Sequence, residues 1–177
     1  MRTKRFIDVM ASLSLLTVMA PVMLIAALAI KLTSRGPIFY NQTRLTKGGR
    51  PFTLHKFRSM RIDAERDGGA TLAKRSDPRT TAIGRWLRLT RIDELPQLIN
   101  VLAGDMSLIG PRPERPEIAG ELNRNIRSFH RRLATKAGLT GLAQVIQGYP
   151  DGLDGYRRKV GLDIVYIKNW SLMLDLW

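Results

Sequence analysis

From Val9 to Ile30 the chain runs 22 residues without a formal charge, and nothing else in it constrains the fold as strongly. Arg2, Lys4, Arg5 and Asp8 precede the run; Lys31 and Arg35 come after it. At about 1.5 Å per residue, a straight helix of that length reaches roughly 33 Å, enough to cross a bilayer. Three readings compete. A cleaved signal peptide would use the basic start and an Ala27-Leu28-Ala29 site, but the run is long for that purpose and nothing downstream looks secreted. A plain spanning helix would keep its basic flank on one side only. Here both flanks are basic, so both ends are expected on the cytoplasmic side, and Pro21 near the middle offers a bend. The hydroxyls of Thr17 and Ser14, one and two turns back, are available to the backbone groups freed there. A re-entrant helix, entering the membrane and returning, is the favoured reading.

Charge extends the argument. The 177 residues carry a formal net charge of +14, and residues 31–91 alone hold fifteen basic against four acidic side chains. Basic excess beside an apolar anchor suits an anionic lipid surface, a phosphorylated substrate or nucleic acid. The absence of cysteine removes disulfide scaffolds, Cys-based zinc sites and thiol catalysis. With only His55 and His130, a His-rich metal site or a Ser-His-Asp triad has little to work with.

Beyond the anchor the chain reads as α+β and mainly helical, one compact unit over 36–177 joined to an anchor over 1–35. Ser34-Arg35-Gly36-Pro37 marks a turn. Ile38–Gln42 and Pro51–Phe57 flank Lys47-Gly48-Gly49-Arg50 as a β-hairpin. Asp63–Pro78 reads as a loop. Ile83, Trp86 and Leu87, then Leu95, Leu98, Ile99 and Leu102, have the spacing of short amphipathic helices suited to a membrane interface. Gly104–Pro116 reads as a Gly/Pro-dense loop, Pro116–Leu133 as a longer helix, Thr140–Val145 as a strand and Asp154–Lys168 as a helix. The tail from Trp170 to Trp177 suits either the membrane–water interface or a core helix.

Three features could carry chemistry. Asp93-Glu94 stands at the expected start of the Leu95–Leu102 helix, where acids often do no more than cap. Adjacent helical side chains diverge by about 100°, so one carboxylate could attack phosphorus while the other holds a divalent cation. Gly110-Pro111-Arg112-Pro113-Glu114-Arg115-Pro116 presents arginines from a proline-stiffened backbone, either as a rigid surface turn or for forked contacts with phosphate. Lys56, Arg58, Arg85, Arg88 and Arg91 could reach the same place or simply be solvated. No P-loop, dinucleotide fingerprint or zinc motif occurs.

Together these strings resemble a known family. Arg91–Leu102 (RIDELPQLINVL) resembles the central motif of the bacterial sugar transferases, the monotopic phosphoglycosyl transferases. Gly104–Pro113, Lys56–Met60 and Gly138–Val145 are similar to three further motifs, in order along nearly the whole chain. The resemblance implies transfer of a sugar-1-phosphate from a UDP-sugar to undecaprenyl phosphate. UMP is released, and exopolysaccharide, O-antigen or glycoprotein glycan assembly begins. It implies Asp93 as nucleophile, Glu94 as ligand of Mg2+, and Lys56, Arg88, Arg112, Asp163 and Gln144 as substrate-binding residues. It also implies a monotopic enzyme of the bacterial inner membrane with a cytoplasmic-face site, partners limited to the two substrates and the bilayer, and no nucleic acid. A second copy of the chain is left open. The family usually has Ser before the bending proline, where Ala20 stands here, and its members usually continue beyond the position of Trp177. The competing class is a non-enzymatic, membrane-anchored basic protein, with a secreted basic protein third. Neither accounts for the acid pair or the Arg-Pro loop.

Overall fold

The computed structural model describes residues 2–64, 77–148 and 150–176. Its elements run α1 (Arg2–Thr33), β1 (Phe39–Leu45), β2 (Pro51–Phe57), α2 (Ala82–Leu89), α3 (Gln97–Ala103), β3 (Met106–Ile109), α4 (Pro116–Asn125), β4 (Ala137–Thr140), α5 (Leu142–Ile146), α6 (Gly152–Lys168) and α7 (Leu172–Leu176). The fold is mainly helical with two small two-stranded sheets.

Helix α1 continues through Pro21 and is the one helix among the described residues long and apolar enough to cross a membrane. Its middle is largely exposed, and each end is tied to the rest of the chain. Near the start, the Arg5 guanidinium donates to Val101 O and, at 2.7 Å, to Leu102 O, satisfying carbonyls at the end of α3. Buried Asp8 accepts from Leu108 N at 3.0 Å. Near the other end, Ala26 and Ile30 join Phe57 and Leu87 in a buried cluster. Arg58, itself buried, donates to Ser34 O and Arg35 O at 3.0 and 2.8 Å, fixing the chain where it leaves the helix. The Thr17 hydroxyl donates to Leu13 O at 3.0 Å, one turn short of the proline.

The hairpin pairs β1 antiparallel with β2 from Phe39↔Phe57 to Leu45↔Pro51. Gly48 and Gly49 sit at φ +72° and +75°, the left-handed region that glycine occupies without penalty. Strand periodicity sorts the side chains of β2 between two faces. Phe52 and Leu54 are buried against Val101, Met106 and Ala137, so period 2 sends Lys56 to that same inward face. Phe57 points the opposite way, stacks on Phe39 with centroids 5.3 Å apart, and meets α1 and α2. Asn100 of α3 pins the helix to β2. Its amide accepts from His55 N at 3.0 Å and donates to Thr53 O at 2.7 Å. A third cluster joins α4, α6 and the 3₁₀ segment Phe129–Ala134 through Leu122, Ile126, Phe129, Tyr156 and Val160.

Four sequence expectations change. The reading of a loop over Gly104–Pro116 missed β3, which pairs in parallel with β4. Thr140–Val145 is not a strand. The ladder ends at Ile109↔Thr140, and the chain coils into α5 from Leu142. The helix expected over Pro116–Leu133 breaks at extended Ile126, whose burial together with Phe129 requires the chain to turn into the core. The acid pair lies on a separate 3₁₀ turn, Ile92–Glu94, and α3 begins only at Gln97, after Pro96. Most of the loop expected over Asp63–Pro78, and Trp177 of the tail, fall outside the described residues.

Candidate active site

Asp93 is presented by a short, sharply bent connection. Thr81 caps α2 by accepting from Gly84 N at 3.0 Å. The helix ends at Thr90, whose hydroxyl donates to Trp86 O at 3.0 Å. Arg91 then takes φ +60°, the only positive φ of a non-glycine among the described residues. Such backbone is uncommon for a long side chain and concentrates where geometry serves chemistry. Here it turns the chain so that Asp93 is buried while Glu94 remains within reach of the Arg112 loop.

The two carboxylates have different surroundings. Asp93 Oδ1 is buried and has no hydrogen-bond partner among the described residues. Burial, with the neighbouring Glu94 charge adding to it, pushes the Asp93 carboxyl up to about 6, against the opposing pull of Lys56, Arg88 and Arg112. Glu94 accepts a forked pair of bonds from Arg112, Nη2 to Oε1 at 2.6 Å and Nη1 to Oε2 at 3.2 Å, and Arg91 Nη1 stands 3.7 Å from Oε1. Burial alone would raise Glu94; the Arg112 charge and hydrogen bonds, joined by the charges of Arg91 and Lys56, together outweigh it and hold the carboxyl below its usual value. Lys56, facing inward from β2 with Nζ 5.1 Å from the Tyr40 ring, is lowered to about 8 by burial and by Arg44.

The structure therefore gathers Asp93, Glu94, Lys56, Arg88 and Arg112 into one electrostatic group. Gln144 and Asp163 are placed elsewhere and bond to neither Asp93 nor Glu94 among the described residues. Gln144, on α5, donates to Leu139 O at 3.3 Å, and its own amide oxygen is buried without a partner. Asp163 is buried on α6, where it accepts from Arg132 Nε at 2.9 Å. Sequence reasoning missed Arg44, Arg132 and Lys159 and read Glu114 only as part of the proline-stiffened loop. All four are charged and largely buried around the Arg112 loop, and no local spacing marks them.

The carboxylate pair suits a magnesium ion shared with a substrate. Mg2+ is commonly held by one or two carboxylates, with phosphate and water oxygens completing its octahedron. Glu94, adjacent to the buried Asp93 carboxylate on the same 3₁₀ turn, fits that donor set. No group of three or more acidic or histidine side chains that could cage a metal occurs among the described residues.

A sequence model of the family described as bacterial sugar transferase matches residues 1–177. The chain belongs to the bacterial sugar transferase family. This sugar transferase chain is 46% identical over 177 residues to the UDP-glucose:undecaprenyl-phosphate glucose-1-phosphate transferase of Caulobacter vibrioides, covering 98% of itself and 65% of that protein. It is 44% identical over 173 residues to the UDP-N-acetylgalactosamine-undecaprenyl-phosphate N-acetylgalactosaminephosphotransferase of Aeromonas hydrophila, covering 98% of itself and 41% of that relative. The exopolysaccharide production protein PSS of Rhizobium leguminosarum bv. phaseoli is 42% identical over 178 residues, with 98% and 89% covered. The transferase chain thus spans less than two thirds of the first two relatives.

Proposed function

We propose that this chain transfers a sugar-1-phosphate from a UDP-sugar to undecaprenyl phosphate at the cytoplasmic face of a bacterial inner membrane. The observation that carries the reading is a buried carboxylate oxygen without a hydrogen bond, on Asp93, facing the charges of Lys56, Arg88 and Arg112. Such an oxygen is available as a nucleophile, and the cations offset the repulsion between it and an incoming diphosphate. Asp93 Oδ1 attacks the phosphorus attached to the sugar. The bond from that phosphorus to the bridging oxygen breaks, and UMP departs with the electron pair. An oxygen of undecaprenyl phosphate then attacks the same phosphorus, the Asp93–phosphorus bond breaks, and the carboxylate is restored. Two steps keep the two anionic substrates from having to share the site. Glu94, with Asp93 beside it, would hold Mg2+, which supplies positive charge to the diphosphate when bound.

The re-entrant reading of α1 has its own support. Arg5 and Asp8 near one end meet α3 and β3, and Ala26 and Ile30 near the other pack on β2 and α2 of the same unit. A straight helix from Arg5 to Ile30 would run roughly 37 Å. Anchoring at both ends supports a shallow insertion of the exposed apolar middle beneath the site.

The test is UMP release from a panel of UDP-sugars, with undecaprenyl phosphate and magnesium in nanodiscs. We expect one enzyme equivalent of UMP without lipid and turnover with it, both abolished in Asp93→Asn. A best donor would identify the sugar. Lipid-dependent turnover that survives Asp93→Asn would overturn the covalent route.

A further inference from the structure

Pro111 and Pro113 leave the Gly110–Pro116 loop short of backbone donors, yet its carbonyls are not left to solvent. Four in a row accept hydrogen bonds from outside the loop. Pro111 O takes Gly138 N at 2.9 Å, Arg112 O takes Arg132 Nη2 at 2.8 Å, Pro113 O takes Arg44 Nη1 at 3.1 Å, and Glu114 O takes Leu45 N at 3.0 Å. Two of those donors are guanidinium groups, and Arg132 is only 3% exposed.

Arg132 is held in turn. Asp163 Oδ2 accepts from its Nε at 2.9 Å and lies 2.8 Å from Nη2, while Glu114 Oε1 lies 3.6 Å from Nη1. Lys159, one turn before Asp163 on α6, bonds the same Glu114 oxygen. Burying four ionised groups costs several kcal/mol each before pairing, and comparable apolar packing often stabilises at least as well. Closure of the core therefore does not account for the cluster. Its geometric product is a guanidinium aimed at the carbonyl of Arg112, the residue whose own side chain forks onto Glu94.

We propose that Arg132, oriented by Asp163, is a positioning residue that fixes the backbone of Arg112 so that the Arg112 guanidinium reaches Glu94 and the substrate phosphate. Among the described residues Arg132 bonds neither Asp93 nor Glu94, so its influence passes through Arg112. A forked contact is lost within about an ångström of misplacement, and with it the stabilisation of the transferring phosphoryl group. Asp163, assigned by resemblance to substrate binding, acts in this arrangement two residues removed from the phosphate. The proposal rests on the phosphotransfer reading above.

The experiment is a double-mutant cycle on the full chain in nanodiscs, read as UMP release with thermal unfolding alongside. Arg112→Lys is expected to lower kcat/KM about 100-fold and Arg132→Lys about tenfold, mostly in kcat. The double variant is expected to fall no lower than Arg112→Lys alone, because the two act as one unit. Should Arg132→Lys fail to melt cooperatively, Asp163→Asn takes its place in the cycle with the same expectation. Losses that multiply, or a fully active Arg132→Lys, overturn the positioning role while an impaired Arg112→Lys leaves the phosphotransfer reading standing. A fully active Arg112→Lys overturns the positioning role together with the part of that reading assigned to Arg112. A wild type that releases no UMP from any donor overturns both.

Discussion

Asp93 sits where its charge is costly. Its carboxyl titrates near 6 in the folded chain against an ordinary value of 3.8, because burial and Glu94 both disfavour the anion. With the folded value raised, the contribution of this group to stability is fully present below about pH 4 and is lost as pH rises through about 6. Asn carries no such dependence. In EDTA at pH 7, Asp93→Asn is expected to melt roughly 3–6 °C above the wild type while losing all turnover, with the gap closing as pH falls toward 4. Equal melting temperatures at pH 7 would remove the electrostatic account of this residue. Glu94→Gln loses the charge that holds the Arg112 fork and is expected to cut turnover at least 100-fold. A neutral effect on UMP release would remove Glu94 from the site.

At the scale of elements, the parallel β3–β4 pair sets the height of the Arg112 loop. It can do so because glycine meets glycine there. A Cβ on Gly138 would lie 2.1 Å from Gly110 N and 2.4 Å from Gly110 O, both backbone atoms that cannot swing away. Gly138→Ala is therefore expected to destabilise the fold by about 2–3 kcal/mol through forced strand separation. It should also lower UMP release in protein that remains folded. An unchanged melting temperature would show that the ladder tolerates opening. Strand β2 contributes through its periodicity, which carries Lys56 inward beside the acids and Phe57 outward onto α1 and α2.

At the scale of the whole molecule, anchor and site form one structure. Ile30 is fully buried with Phe57 and Leu87, so Ile30→Ala is expected to cost about 2–5 kcal/mol although it lies in the long, largely exposed apolar helix. The absence of cysteine makes topology directly measurable. Arg2→Cys and Lys47→Cys should both react with an impermeant maleimide from the cytoplasmic side only. Labelling from opposite sides would mean a single span and overturn the re-entrant reading.

The sequence by itself determined the features that depend on neighbours along the chain. The uncharged run with Pro21, the hairpin around Gly48-Gly49, the helical spacing of Ile83, Trp86 and Leu87 and the order of the motifs around Asp93-Glu94 and Arg112 are all local patterns. Periodicity, turn residues and charge spacing report such patterns directly. Tertiary structure alone decided which groups share a low-dielectric space. Arg44, Glu114, Arg132, Lys159 and Asp163 come from four separate stretches of chain, and no local pattern pairs them with one another. β3 was unreadable for a related reason: four residues become a strand only when Ala137–Thr140, far along the chain, supplies the partner hydrogen bonds. Burial and long-range pairing are properties of the packed chain, and they give the carboxyl at residue 93 a raised pKa that its place at a helix start would not predict.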